Sequence, residues 1–287
     1  MARFFREEEY EEDRPEKPRM FGVTEVRGPF YSRSLTTHQA LQDILETTGQ
    51  FVDGLKFTGG SYSLAARSSI REIINMAHQH NVYVSTGDWA DHLLRRGPSA
   101  FKEYVEECRG MGFDMVDLNS SSIRVPEETL LRLVRMIKTA GLKARPQLSW
   151  KFDPAEVPAG GDRAFGAYIA PSPQKSEIVE DVDFLIRKAE RCLEAGADGI
   201  MIAIDGAELP TDAIAKIVGR LGLDRTMFEA LDGGAPEWFV GRYGPRVNLF
   251  VDHSQVMGLE CLRGHDVGGR RRHRASGGGG GPSYFLF

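Results

Sequence analysis

The chain has 287 residues, of which 41% are hydrophobic, and its formal net charge is -5. This length allows one large domain with a substantial core, and α/β barrels commonly occupy about 250 residues. The acidic balance argues against general nucleic-acid binding, and no apolar run reaches the roughly 20 residues that cross a bilayer. We therefore expect a protein that binds neither nucleic acid nor membrane.

The N-terminal segment, residues 1–19, is charged and has no apolar period. It contains the acidic run Glu7 to Asp13, so we expect it to be disordered. It resembles neither a secretory signal nor an acid-poor transit peptide. Three cysteines without a CxxC pair fit a reducing compartment. Together these features predict a cytoplasmic protein.

A repeated pattern of strands and helices follows. Short apolar runs suited to strands begin at eight places, near Phe21, Phe51, Val82, Met115, Leu142, Gly199, Thr226 and Val247. Between them, apolar residues recur at helical spacing. Such alternation describes βαβ units, and eight units close most naturally into a (β/α)8 barrel, here over residues 20–265. An open doubly wound sheet is the alternative, but no Gly-x-Gly-x-x-Gly turn follows the first strand.

The predicted fifth strand, Leu142 to Lys151, carries polar side chains at every second position: Lys143, Arg145, Gln147, Ser149 and Lys151. Strand side chains alternate between faces, so all five point the same way. Such a row fits either a solvent-exposed sheet face or the interior of a barrel. In the second case it ends in a lysine at the C-terminal rim, where barrels place their chemistry.

Two further segments depart from the pattern. Residues 152–176 are rich in proline and glycine and follow the fifth strand directly, so they form either a decorated loop or a lid over the rim. Residues 266–287 contain Arg270 to Arg274 and the glycines Gly277 to Gly281. We interpret them as a flexible Arg/Gly-rich tail, with a weak anion-binding arm as the alternative.

The ends of the predicted strands supply the candidate site. They carry Glu25, Arg27, Lys56, Gly59, Gly60, Gly87, Asp117, Asn119, Lys151, Asp205, Glu229, Asp252 and His253. Lysines and arginines beside carboxylates fit a phosphate-bearing or carboxylate-bearing substrate with Mg²⁺, which takes oxygen ligands. The same charges could instead form structural ion pairs inside the barrel. Ser254 is better interpreted as a helix N-cap than as a hydrolase nucleophile, because adjacent residues cannot face one another.

Several segments also carry a family resemblance: Gly22 to Pro29, Phe51 to Gly60, Val82 to Trp89, Arg187 to Asp198 and Val251 to Gln255. With them the chain resembles the phosphosulfolactate synthase family, and in particular its plant heat-stress-associated members, over nearly its whole length. The resemblance implies a TIM-barrel lyase that adds sulfite to phosphoenolpyruvate with Mg²⁺.

The resemblance also implies roles for individual residues. Lys151 matches the lysine that protonates the substrate carbon, and Lys56 matches the lysine of a Lys-Phe-Gly stretch. From their positions at the rim, we expect the following residues to bind the substrate: Arg27, Lys56, Gly59, Gly60, Gly87 and Asn119. Asp117 and Glu229 match acidic residues of the synthase, and we expect them to contact the metal or a substrate hydroxyl. One departure is Ala203, which stands where the synthase carries an acidic residue at the end of strand six.

Two hypotheses of function follow. In the first, the chain is a heat-stress-associated protein that supports the persistence of acquired thermotolerance, in partnership with a ClpB-type disaggregase. In the second, it is an active Mg²⁺-dependent carbon-sulfur lyase acting on a small anionic phosphorylated acid. A homo-oligomer is compatible with either hypothesis.

Overall fold

The computed structural model of the protein describes residues 15–28, 38–57, 65–87, 93, 96–119, 126–149, 151–152, 179–204 and 211–264. In this part of the chain, eight parallel strands close into a barrel in sequence order. They are β1 (Thr24–Arg27), β2 (Gly54–Lys56), β3 (Tyr83–Ser85), β4 (Met115–Asn119), β5 (Lys143–Leu148), β8 (Ile200–Ile202), β9 (Thr226–Glu229) and β10 (Leu249–Val251). Two short strands outside the barrel, β6 (Lys151–Phe152) and β7 (Val179–Glu180), lie between β5 and β8 in the sequence. The predicted (β/α)8 barrel is therefore confirmed.

Helices cover the outside of the barrel. They are α1 (His38–Thr48), α2 (Arg67–Gln79), α3 (Pro98–Met111), α4 (Glu127–Thr139), α5 (Val182–Glu194), α6 (Thr211–Leu221), α7 (Ala235–Tyr243) and α8 (256–264). Gly112 ends α3 with φ 100°, a conformation that favours glycine. The Asp181 side chain caps α5 by accepting a hydrogen bond from the Phe184 amide. Within the described residues, none of the helices is long and apolar enough to span a membrane.

The core has two layers, separated by the sheet. Outward-facing strand residues such as Leu55, Val84 and Ile202 pack against the helices in one large apolar cluster. A smaller cluster of Val23, Met201, Met227 and Phe250 lies inside the barrel. Because alternate strand residues point to opposite faces, the remaining interior positions are available to polar groups.

The N-terminal ends of the strands, which we call the base, are closed by side chains that bind backbone amides. One such residue lies just before each of the strands β2, β4, β8 and β10; these residues are Asp53, Asp114, Asp198 and Asn248. Each accepts a hydrogen bond from a strand amide at 2.7–2.9 Å, the donors being Thr24, Val84, Ala144 and Val23. These bonds satisfy backbone groups at the edge of the barrel where ladder hydrogen bonds stop.

Residues from both ends of the described chain also contact the base. Lys17 donates to the Gly49 carbonyl at 2.6 Å, and Arg19 pairs with Asp53 at 2.8 Å. Arg263 of α8 donates to the Thr24 hydroxyl, and burial lowers the pKa of its guanidinium to about 10. Residues 1–14 and 266–287 lie outside the described part, so the disordered N-terminal segment and the flexible tail stay predictions.

The predicted fifth strand is divided in the structure. Strand β5 ends at Leu148, and Lys151 lies on a separate short strand, β6 (Lys151–Phe152), which pairs antiparallel with β7 (Val179–Glu180). The prediction of a single strand to Lys151 is therefore wrong at its C-terminal end, because Lys151 and Phe152 pair with the returning chain. This pairing joins the two ends of residues 153–178, which lie outside the described part, so the predicted lid stays a prediction.

Candidate functional site

Arg145 of β5 points into the barrel and binds two carboxylates. Its guanidinium donates to Asp117 of β4 through Nε at 2.7 Å and Nη2 at 3.1 Å, and to Glu25 of β1 through Nη1 and Nη2, both at 2.7 Å. Arg145 is 3% exposed and both carboxylates are fully buried. Arg145 and Gln147 of the polar row are thus interior, as one of the two interpretations of the sequence predicted, whereas Lys143 at the start of β5 is exposed. We call Arg145, Glu25 and Asp117 the buried triad.

The charges of the triad shift the pKa values of Asp117 and Arg145. Burial raises the pKa of the Asp117 carboxyl, but the charges of Arg145 and Lys56 outweigh burial and hold the pKa below its usual value. Burial likewise lowers the pKa of Arg145, but Asp117 and Glu25 outweigh it and raise the pKa well above its usual value. In this buried site, Asp117 and Arg145 therefore keep each other ionised.

Tyr83 of β3 completes the hydrogen bonding of Glu25. Its hydroxyl donates to Glu25 Oε2 at 2.7 Å, and burial together with the charge of Glu25 raises the pKa of the phenol well above its usual value. The ring lies against Gly54 of β2, where a Cβ atom would come within 2.6 Å of the hydroxyl oxygen. Glycine therefore makes room for the tyrosine. Tyr83 was not among the predicted site residues, although the alternation of Val82, Tyr83 and Val84 places the tyrosine on the interior face.

Lys56 lies closer than the buried triad to the C-terminal ends of the strands, which we call the mouth. It is 2% exposed. Its ammonium donates to Gln147 Oε1 at 3.2 Å and lies 4.9 Å from the centre of the Phe250 ring. It also lies close enough to Asp117 to lower the pKa of that carboxyl. The structure thus places Lys56 on the interior face, as predicted, and adds Gln147 to its surroundings.

Arg27 and Asp252 form an ion pair at the mouth. Arg27 Nη1 lies 3.6 Å from Asp252 Oδ2, and both side chains are about a quarter exposed (27% and 25%). Asp252 also accepts hydrogen bonds from the Ser254 amide and hydroxyl. The Asp252 amide donates in turn to Gln255 Oε1 at 2.9 Å, which completes a capping box. The predicted N-cap at Ser254 is therefore wrong, because the capping carboxylate belongs to Asp252.

The other predicted site residues differ in how far the structure describes them. Asn119 is buried at the end of β4, Gly87 follows β3 with φ 64°, and Glu229 is half-buried at the end of β9. All three lie at the mouth with Arg27 and Lys56. Gly59, Gly60 and Asp205 lie outside the described residues, and for Lys151 only the backbone is described. Their proposed roles stay predictions.

The described residues do not by themselves supply a magnesium site. Mg²⁺ takes an octahedral shell of oxygen ligands, yet both Asp117 oxygens already accept hydrogen bonds from Arg145. Among the described residues, no three His, Cys, Asp or Glu side chains form a group that could hold a metal ion. A metal ion at Asp117 would share this carboxylate with the positive charge of Arg145, which disfavours binding of a cation there, and Glu229 offers one carboxylate at the mouth.

A groove on the outside of the barrel lies at the opposite end. It has a volume of about 610 Å³ and is lined by charged residues of α5 and α6 and of the segments that follow them, including Glu190, Glu194 and Arg220. It also reaches Asp198 and Arg225, which precede β8 and β9. Because barrels place their chemistry at the C-terminal ends of the strands, the mouth is the better candidate site.

The chain resembles known proteins over nearly its whole length. The family model described as (2R)-phospho-3-sulfolactate synthase (ComA) matches residues 12–268. Protein HEAT-STRESS-ASSOCIATED 32 of Arabidopsis thaliana is 58% identical over 294 residues, which cover 100% of both chains. Phosphosulfolactate synthase of Methanothermobacter thermautotrophicus is 22% identical and covers 86% of this chain and 90% of its own length.

Solved structures resemble the chain in fold alone. A 3-hexulose-6-phosphate synthase superposes with a TM-score of 0.50 and 13% identity over 84% of this chain and 99% of its own. The YdjI aldolase from Escherichia coli K12 superposes with a TM-score of 0.52 and 10% identity over 89% of this chain and 90% of its own. At such identities only the barrel architecture is shared.

Proposed function

The chain belongs to the (2R)-phospho-3-sulfolactate synthase (ComA) family, and from this membership we propose that it is a heat-stress-associated member that supports acquired thermotolerance. The observation that carries the proposal is its 58% identity to HEAT-STRESS-ASSOCIATED 32 over the full length of both chains. The synthases of two methanogens are only 22% and 21% identical to it. We further propose that it acts by interplay with a ClpB-type disaggregase.

The end of the sixth barrel strand favours action by interaction rather than catalysis. Ala203 follows β8, and its amide donates to the Leu148 carbonyl at 2.9 Å. The family resemblance expects an acidic residue here, and a methyl group supplies neither a metal ligand nor a proton. Loss of one carboxylate from a magnesium shell would weaken metal binding.

A heat-memory assay tests this proposal. Expressed in an Arabidopsis line that lacks HEAT-STRESS-ASSOCIATED 32, the chain is expected to restore the persistence of thermotolerance after a first heat shock. Lys151→Ala should restore it equally, because the proposed action does not use the catalytic lysine. Survival after a delayed second heat shock is the measurement, with protein abundance followed by immunoblot.

Two controls make the assay decisive. Arg145→Met, which removes the centre of the buried triad, should fail to restore persistence because the barrel is destabilised. In a line that also lacks the ClpB-type disaggregase, the unmodified chain should give no persistence. Loss of heat memory with Lys151→Ala at unchanged abundance would contradict action by interaction, and persistence without the disaggregase would contradict the partnership.

The second candidate function is a lyase acting on a small phosphorylated acid, favoured by Lys56 and Arg27 at the mouth. In this reaction the sulfur of sulfite bonds to the methylene carbon of phosphoenolpyruvate, and the adjacent carbon takes a proton. Lys151 is the proposed proton donor, and Lys56 and Arg27 would bind the anionic groups of the substrate. When bound, magnesium would stabilise the negative charge that develops on the substrate carboxylate.

A direct assay separates the two functions. Purified chain is incubated with sulfite and phosphoenolpyruvate, with and without Mg²⁺, and consumption of phosphoenolpyruvate is followed. If the lyase is active, consumption should depend on sulfite and should be lost in Lys151→Ala. The absence of sulfite-dependent consumption under all of these conditions would exclude this reaction and leave the heat-stress proposal standing.

A further inference from the structure

Gln147 accepts a hydrogen bond from the Lys56 ammonium inside the barrel. Lys56 begins on β2 and Gln147 on β5, and the hydrogen bond between them, at 3.2 Å, crosses the barrel interior. Lys56 is buried, whereas Gln147 is half-buried. The carboxamide is therefore the more solvent-exposed partner and lies at the mouth.

Deeper in the barrel, the Asp117 carboxylate offers the Lys56 ammonium a second position. Strands β4 and β5 pair so that Asn119 lies beside Gln147, and Asp117 lies beside Arg145 two residues below. The charge of Lys56 already acts on Asp117. Without the Gln147 acceptor, the Asp117 carboxylate would attract the ammonium more strongly than the Phe250 ring does, because an ion pair in a water-poor interior exceeds a cation–π contact.

The type of side chain at position 147 also matters. A carboxamide accepts a hydrogen bond from the ammonium without neutralising it, whereas a carboxylate would pair with it. Two buried carboxylates, Glu25 and Asp117, and two buried cations, Arg145 and Lys56, already balance in charge inside the barrel. Gln147 leaves that balance unchanged.

We propose that Gln147 is a positioning residue that holds the Lys56 ammonium at the level of the mouth, where it meets an anionic oxygen of a ligand. The proposal rests on the mouth being the site for a small phosphorylated acid, the second candidate function above. It assigns to Gln147 a role in affinity that acts through Lys56 alone.

A double-mutant cycle tests this assignment with inorganic phosphate as the probe, measured by isothermal titration calorimetry on the full chain. Gln147→Leu is expected to weaken phosphate binding about tenfold, the scale of one hydrogen bond to a charged group. Lys56→Met should weaken binding at least as much. In the Lys56→Met background, Gln147→Leu should have no further effect, because there is no ammonium left to position.

The controls separate positioning from damage to the fold. Urea unfolding of each variant checks that the barrel is intact, and Gln147→Met, which keeps the side-chain length without the carboxamide, replaces Gln147→Leu if the latter does not fold. Additive effects of the two substitutions, or unchanged affinity in Gln147→Leu, would overturn the positioning role while the phosphate site stands. Absence of phosphate binding by the unmodified chain would overturn the site and the positioning role together.

Discussion

Replacing Arg145 by methionine is expected to lower the free energy of unfolding by about 3–5 kcal/mol, the usual result of removing one partner from a buried ion pair. Methionine fills most of the volume but removes the guanidinium that binds the carboxylates of Glu25 and Asp117, both of which are fully buried. Urea unfolding at pH 7, followed by circular dichroism, measures the loss.

Two comparisons identify the cause of this loss. Arg220→Met removes a surface arginine that is 66% exposed and paired with Glu190, so it should change the free energy of unfolding by no more than about 1 kcal/mol. Adding Glu25→Gln to Arg145→Met should recover part of the stability, because the charges of Asp117 and Lys56 then balance in the interior. A loss below about 1 kcal/mol in Arg145→Met would contradict the buried triad.

The triad also predicts the direction of pH dependence. The folded-state pKa of Asp117 is lowered, so its contribution to stability is present above the ordinary aspartate value of about 4 and is lost as pH falls through the lowered value. In Arg145→Met, the larger of the two charges that oppose burial is gone, so the pKa of Asp117 should rise from its lowered position. The stability that Arg145→Met loses should therefore shrink as the pH is lowered from 7 towards 4.

Replacing Gly54 by alanine is expected to cost about 2–4 kcal/mol, combining overpacking with a strained or broken buried hydrogen bond. The added methyl group would lie within 2.6 Å of the Tyr83 hydroxyl oxygen and closer still to the ring. Tyr83 cannot move aside freely, because its hydroxyl donates to Glu25 at 2.7 Å. Urea unfolding of the variant is again the measurement.

A cycle with Tyr83→Ala assigns the effect of Gly54→Ala. In the Tyr83→Ala background, the alanine at position 54 should cost much less, because the ring that it would meet is gone. Gly219→Ala, in α6 with no neighbouring atom within 4 Å of the added methyl, should instead stabilise the chain by about 0.5–1 kcal/mol. An equal cost of Gly54→Ala with and without Tyr83 would contradict the packing described here.

The fold was largely predictable from sequence because its signals are local. Each parallel strand is a short apolar run, and each helix has a 3.6-residue period, so eight βαβ units could be counted without knowing which residues touch. The end of β5 could not be predicted. Lys151 continues the polar alternation of the strand, and only its pairing with Glu180, across a long intervening segment, shows that a new strand begins there.

The interior of the site was predictable in part. Alternation placed Arg145 and Asp117 on the interior face, but the sequence does not say which interior groups meet. Arg145 and Glu25 are 120 residues apart, and only the closure and stagger of the barrel bring them to 2.7 Å. For the same reason Asp117 was expected to contact a metal, whereas it binds Arg145 of the neighbouring strand. Gln147 was expected only as a member of the polar row, whereas it accepts a hydrogen bond from Lys56 across the barrel.

A crystal structure of the chain grown with inorganic phosphate tests the central claim most directly, namely that the mouth holds an anion above the buried triad. We expect phosphate within hydrogen-bonding distance of Lys56 Nζ, with Gln147 beside the ammonium and Arg145 still bound to Glu25 and Asp117. A Lys56 side chain turned away from the barrel interior, with phosphate bound elsewhere or at the base, would contradict it.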